Sequence, residues 1–182
     1  AAPGTKSVLM SDLMNGEGDI LAVDISSERL DKLAESALSY HAENIRVRRA
    51  DATEVELDET DAVLLDAPCT GTGVLSKRAD LRWRRDQDSL DNAVELQAEL
   101  LDSAAEMVKK GGRLVYSTCS LEEEENMEQV MSFLDRHDNF EMQSVEGYVP
   151  DEVMVHGGLA YQTFPHKHGC DGHFGVLLKR TS

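Results

Sequence analysis

Along this chain, short continuous apolar runs alternate with longer stretches in which apolar residues return at helical spacing. Ser7 to Met14, closed by Gly16 and Gly18, predicts a short opening helix. Ile20-Leu21-Ala22-Val23 then reads as a buried strand that stops at Asp24. Ser26 or Ser27 caps a helix running to about position 42, with Leu30, Leu33, Ala34, Ala37 and Leu38 on one face. A strand over 45–49 stops at Asp51, and Ala62-Val63-Leu64-Leu65 forms the next, ended by Pro68, Gly71 and Gly73. After a polar, basic loop, helical spacing over 89–110 (Leu90, Ala93, Val94, Leu96, Leu100, Leu101, Ala104, Val108) predicts a long helix ended by Gly111-Gly112. A strand over 113–116 follows. Ser120 with Glu123 fits a capping box and predicts a helix over 121–136, and 140–145 and 174–178 read as closing strands around an irregular loop.

Strand and helix taking turns in this way predict an α/β fold with a Rossmann-like, doubly wound, mostly parallel sheet, and the closing strands predict an antiparallel edge. There is no internal repeat, and 182 residues suffice for one globular unit with a sizeable core. The opening Ala1-Ala2-Pro3-Gly4-Thr5-Lys6 already has the character of a ligand-binding loop, with no strand ahead of it. Residues 1–182 are therefore expected to be one domain, truncated at its N-terminus and lacking its first strand.

Charge complicates the choice of partner. A formal net charge of −17 weighs against nucleic acid, which needs a basic face. Two local groups run against that average: Arg46, Arg48 and Arg49, and a second group of Lys77, Arg78, Arg82, Arg84 and Arg85 with Trp83 inside it. Either is also compatible with a solvated surface. Three cysteines, odd in number and far apart, argue against a disulfide framework and for a reducing compartment, so a cytoplasmic location is expected; separately, a monomer is expected. No apolar run approaches the ~20 residues that span a bilayer, so no membrane partner is expected.

Chemistry concentrates just past strand ends, where ligands bind in open α/β sheets. Asp24, Asp51 and Asp66 follow three successive strands and can overlook one crevice, where carboxylates accept from ribose hydroxyls. Each also suits a helix cap or a turn. The 1–6 loop lacks the Gly-Lys-Ser/Thr ending of a phosphate loop, so a cofactor without phosphates, such as a methionine-derived one held by its carboxylate at a helix N-terminus, fits better. Cys69 in Asp66-Ala67-Pro68-Cys69 and Cys119 in Thr118-Cys119-Ser120 follow separate apolar runs, so two thiols can face one site.

Taken together, Ala1-Ala2-Pro3-Gly4-x-Lys6, Asp66-Ala67-Pro68-Cys69-x-Gly71-x-Gly73, Thr118-Cys119-Ser120 with its following Glu-Glu-Asn, and Asp171-Gly172-x-Phe174 resemble the RsmB-like S-adenosylmethionine-dependent RNA cytosine-5 methyltransferases of the Fmu/Sun family. The likeness covers essentially the whole chain. It implies a class I methyltransferase fold, S-adenosylmethionine as cofactor and RNA as partner, most readily ribosomal RNA, with transfer RNA as the alternative. It also implies roles: Cys119 adds to carbon 6 of cytosine, Cys69 assists release of the product, and Asp66 bonds the cytosine edge and touches the cofactor. Asp24 is expected at the ribose hydroxyls, Asp51 at the adenine amino group, and Ala1, Ala2, Pro3, Gly4, Thr5 and Lys6 around the methionine part. Thr5 stands where the family usually has glycine, and His173 where an aromatic residue is more usual.

If Cys119 directly precedes a helix, the positive helix end lowers its pKa, helped by a cation such as Lys6, while Glu122, Glu123, Glu124 and Glu125 point to solvent. The alternative for Cys119 is an inert buried thiol. The loop carrying Lys77, Arg78, Arg82, Arg84 and Arg85 is expected to grip RNA, with Trp83 either supporting an unstacked base or anchoring the core. His166, His168, Cys170 and His173 match no standard zinc spacing, so no metal is expected. Two rival functions are an assembly factor of the same fold and a methyltransferase for an amine, which needs no thiol pair.

Overall fold

The computed structural model describes residues 4–83 and 86–182, without the Arg82 side chain. Ala1, Ala2, Pro3, Arg84 and Arg85 lie outside the described residues. The chain divides into two compact units, Ala1–Glu56 and Leu57–Ser182.

The first unit contains α1 (Thr5–Leu13), β1 (Ile20–Asp24), α2 (Ser27–Ser39) and β2 (Ile45–Arg49). β1 and β2 pair in parallel, from Ile20 opposite Ile45 to Asp24 opposite Arg49. α2 starts as its sequence predicts, with the Ser26 hydroxyl accepting the Arg29 N–H. Its inner face buries Leu30, Leu33 and Ala37; full burial of a leucine contributes about 1.5–3 kcal/mol. Leu38, expected on that face, is 77% exposed, because its place in the turn falls on the flank of the stripe. α1 turns inward with serines: Ser7 and Ser11 are buried, and Ser11 donates to Asn44 Oδ1 at 2.5 Å. The first basic group is engaged within the unit. Arg46 pairs with Asp19 at 2.8 Å, while Arg48 and Arg49 donate to the carbonyls of Glu56 and Ile25.

The second unit contains β3 (Thr60–Asp66), α3 (Gln87–Glu106), β4 (Val108–Thr118), α4 (Met127–Arg136), β5 (Phe140–Gln143), β6 (Met154–Val155), β7 (Ala160–Thr163), α5 (Pro165–His168) and β8 (His173–Arg180). The sheet runs β3-β4-β8-β7-β6, with β5 also on β8. β3 and β4 are parallel, and β8 runs antiparallel to β4, β5 and β7, which supplies the expected antiparallel edge. α3 and α4 contribute Leu101, Ala104, Val130 and Phe133 to one apolar core with Leu114 and Leu178 of the sheet.

The stretch expected as an irregular loop between the closing strands carries β6, β7 and α5, and two helix boundaries differ from the sequence expectation by four residues or more, each with a local cause. α3 ends at Glu106, not at Gly111-Gly112: Thr60 N–H donates to the Met107 carbonyl at 2.7 Å and draws the chain into the sheet at the fully buried Val108. The glycine pair lies in a bulge where the register passes from Thr60 opposite Val108 to Ala62 opposite Arg113. The helix predicted from 121 starts at Met127, after a 3₁₀ turn over Glu123–Glu125. Ser120 forms no capping box, because its hydroxyl accepts the Glu122 N–H and faces the hydroxyls of Thr70 and Thr72.

Candidate active site

Cys69 follows β3 and Cys119 follows β4. Since these strands are parallel neighbours, with Asp66 opposite Ser117, both turns emerge at the same sheet end. The sulfurs of Cys69 and Cys119 lie 3.1 Å apart, each half-buried and in no disulfide. A thiol that can receive a hydrogen bond from a second thiol ionises more readily: Cys69 lowers the pKa of Cys119 to about 7, against opposition from burial and from the Asp66 charge. The same contact, with burial, pushes Cys69 well above the ordinary thiol range. The contact thus favours loss of one proton from the pair.

The cause differs from the one expected. Cys119 does not stand at a helix N-terminus, since α4 begins only at Met127, and its neighbouring sulfur does what the helix end was expected to do. Nor do all four glutamates face solvent: Glu125 is fully buried.

Backbone contacts lock three of the motif segments together. The Gly73 N–H donates to the Cys119 carbonyl at 3.0 Å, and the Gly172 N–H donates to the Gly73 carbonyl at 2.8 Å. A Cβ on Gly73 would lie 2.4 Å from the Gly172 oxygen and 2.8 Å from the Cys119 oxygen, so only glycine permits this approach. Thr72 adds a side-chain tie by accepting the Leu121 N–H at 2.9 Å. Asp66 is exposed at its strand end and accepts from the Ser117 hydroxyl at 3.1 Å.

Polar residues behind the thiols form a buried set that sequence pattern missed. Glu125 accepts from the Thr70 N–H at 2.8 Å, from the Thr70 hydroxyl and from Gln97 Nε2. Gln97 also donates to the Pro68 carbonyl, and Asn126 accepts from Thr118 and donates to the Ser120 carbonyl. A signal was present: Gln97 is a polar residue at a core position of α3, whereas the expected Leu96 is 39% exposed.

In the first unit, Asp24 is buried at the end of β1, accepts the Ser26 N–H at 3.0 Å and pairs with Arg29 at 3.5 Å. Asp51 accepts both the N–H and the hydroxyl of Thr53, which hold its carboxyl below the usual range, and it lies on the wall of a pocket of about 380 Å³. Gly4 caps α1 at φ +109°, with no side-chain acceptor and no acidic residue in the first turn. A helix start of this kind receives a carboxylate. With acceptors for hydroxyl and amino groups on Asp24 and Asp51, the donor set fits S-adenosylmethionine.

The loop after Cys69 carries Trp83 at 90% exposure, which overturns the core-anchor alternative. Lys77 pairs with Asp171 at 2.6 Å, which raises its pKa, and Arg78 is exposed. His168 Nδ1 accepts the Phe164 N–H, and His173 Nδ1 bonds the Tyr161 hydroxyl at 2.8 Å. No helix among the described residues is long and apolar enough to cross a membrane.

Two parallel strand pairs with helical crossovers, acidic strand ends and an antiparallel edge define the fold of the class I S-adenosylmethionine-dependent methyltransferases. The crystal structure of PH0851 superposes with a TM-score of 0.92 at 35% identity, over 99% of this chain and 41% of that one. NSun6 from Pyrococcus horikoshii, solved with SFG, gives 0.89 at 31% identity, over 100% and 46%. A family model described as 16S rRNA methyltransferase RsmB/F matches residues 1–179, and the chain belongs to this family. The probable ribosomal RNA small subunit methyltransferase B of Bacillus subtilis is 36% identical over 99% of the chain, which spans 42% of that relative's length.

Proposed function

We propose that this chain is the catalytic portion of an enzyme that methylates carbon 5 of cytosine in ribosomal RNA through a covalent bond to Cys119. The observation that carries the reading is the 3.1 Å approach of two unbridged thiols, one of them ionising at about 7. Cytosine carbon 5 is a poor nucleophile until a group adds at carbon 6, and a thiolate is the side chain suited to that addition. The Cys119 sulfur bonds carbon 6, and the displaced electron pair makes carbon 5 nucleophilic. S-adenosylmethionine, when bound, supplies an electrophilic methyl group, which carbon 5 accepts. Loss of the carbon 5 proton to water then re-forms the ring double bond and expels the sulfur with its electron pair. Cys69 supports that departure, since its S–H donates to the leaving thiolate.

Asp66, exposed beside the pair, is assigned to the cytosine edge. Asp24, Asp51 and the Gly4–Lys6 start of α1 are assigned to the cofactor, together with Ala1, Ala2 and Pro3 on sequence. The basic loop is assigned to RNA. Trp83 offers an exposed face for an unstacked base, a contact worth about 1–3 kcal/mol. Replacing Arg82, Arg84 and Arg85 by alanine is expected to weaken RNA binding and flatten its salt dependence.

Trapping tests the chemistry. With ribosomal RNA and S-adenosylmethionine, a Cys69→Ala variant is expected to accumulate an RNA-protein adduct that maps to Cys119, and Cys119→Ala is expected to form none. Absence of the adduct from the first variant, or its presence in the second, rejects the reading and favours an assembly factor or another acceptor.

A further inference from the structure

Glu125 is 0% exposed and takes no part in the chemistry proposed above. A carboxylate has two acceptor atoms and no donor, and the Cys69 turn presents matching donors. Oε1 accepts the Thr70 N–H at 2.8 Å and Gln97 Nε2 at 2.9 Å, and Oε2 accepts the Thr70 hydroxyl. The backbone of Glu125 is fastened to β4 through its carbonyl, which accepts the Tyr116 hydroxyl at 2.7 Å. The adjoining Asn126 accepts from Thr118 Oγ1 at 2.6 Å and donates to the Ser120 carbonyl at 3.1 Å. One dipeptide therefore grips the residue after Cys69 and both neighbours of Cys119.

We propose that Glu125 is a positioning residue, which ties the Cys69 turn to the end of β4 and so keeps the two sulfurs within hydrogen-bonding reach. The groups acting on Cys119 are Cys69, Asp66 and Glu125, and the Tyr116 hydroxyl faces Glu125 from β4. Charge does not explain the choice of residue, because the Glu125 carboxylate opposes ionisation of both thiols. What it contributes there is geometry. The inference rests on the reading of Cys119 as nucleophile.

The test uses the full chain with Glu125→Ala, Glu125→Gln and Thr70→Val. The pH dependence of Cys119 alkylation by iodoacetamide, followed by peptide mass spectrometry, reports the thiol directly. Steady-state methyl transfer separates kcat from KM. In Glu125→Ala the Cys119 pKa is expected to rise from about 7 towards the ordinary thiol value of about 8.5, because the Cys69 donor drifts away. The same variant is expected to lose on the order of 10²-fold in kcat with the KM for RNA little changed. Glu125→Gln keeps an acceptor for Thr70 and loses the charge, so its thiol is expected at or below the wild-type value, with most of kcat restored. Thr70→Val removes one of the two ties and is expected to show a smaller rise, which serves if the alanine variant does not fold.

A thiol pKa in the folded alanine variant no higher than in the equally uncharged glutamine variant, or an unmoved or lowered one in Thr70→Val, overturns the proposal, as does a glutamine variant as impaired as alanine. Thiol shifts as expected without any RNA adduct would leave the positioning role standing and reject the cytosine chemistry. An adduct with an unmoved thiol would do the reverse.

Discussion

The strand ends of the two units are held in opposite ways. In the first, Asp24 accepts the Ser26 N–H and pairs with Arg29, and Asp51 accepts from Thr53, all within five residues along the chain. In the second, the turn after β3 is held by Glu125, which lies 55 residues away from Thr70, and by the Cys119 carbonyl, while Gly172 closes over Gly73. Local turns of this kind form wherever an aspartate meets an amide two residues on, and they leave carboxylate edges for a ligand. Long-range ties cost more loop-closure entropy and hold a geometry that the local chain does not favour. Acceptor positions tolerate the first arrangement, whereas a pair of sulfurs at 3.1 Å requires the second.

Three experiments bear on this contrast. Gly73→Ala is expected to have the largest effect: its methyl group meets two carbonyl oxygens at under 3 Å, so the interlock must open. Overpacking of this kind destabilises by about 1–3 kcal/mol, measurable by denaturant titration, and methyl transfer is expected to fall in parallel. A variant as stable and active as the parent would show that the interlock is dispensable. Next, methyl transfer is expected to lose about tenfold per pH unit below the Cys119 pKa of about 7 and to level off above it. The sign follows from the reactive species: the thiolate is lost as pH falls through the thiol's own pKa, which the Cys69 donor lowers. An inflection near 8.5 would break the link between the paired sulfurs and reactivity. The smallest effect is expected at the local turn, where Asp51→Asn should weaken S-adenosylmethionine binding by about tenfold in calorimetric titration, with no measurable change in thermal midpoint. A large drop in that midpoint would make the two kinds of strand end alike.

The same contrast explains what could be read from the chain. Ile20–Asp24, Ile45–Arg49 and the Ser26 cap are local patterns, and they stand where periodicity put them. Cys69 and Cys119 could be brought together because parallel strands deliver their ends to one edge, and that follows from alternation alone. The source of the low Cys119 pKa could not be seen, because it depends on a sulfur 50 residues away in sequence rather than on the helix inferred next to it. Ser120 misled for a related reason: Ser with Glu three residues on is a local helix signal, overridden by the hydroxyls of Thr70 and Thr72. In sequence Glu125 is one of four consecutive acids, and only the turn that carries Thr70 distinguishes it from its neighbours.

The bulge in β4 gives the strand a place to take up slack. Between Val108 and Arg113 the strand carries more residues than β3 opposes, and beyond it the pairing runs regularly from Arg113 to Ser117. A residue gained or lost at Lys110 can be absorbed there, leaving Leu114 and Tyr116 facing the core. One inserted after Leu114 would invert every side chain that follows and swing Cys119 to the opposite face. Length variation is therefore permitted on one side of Arg113 and forbidden on the other, a few residues from Cys119.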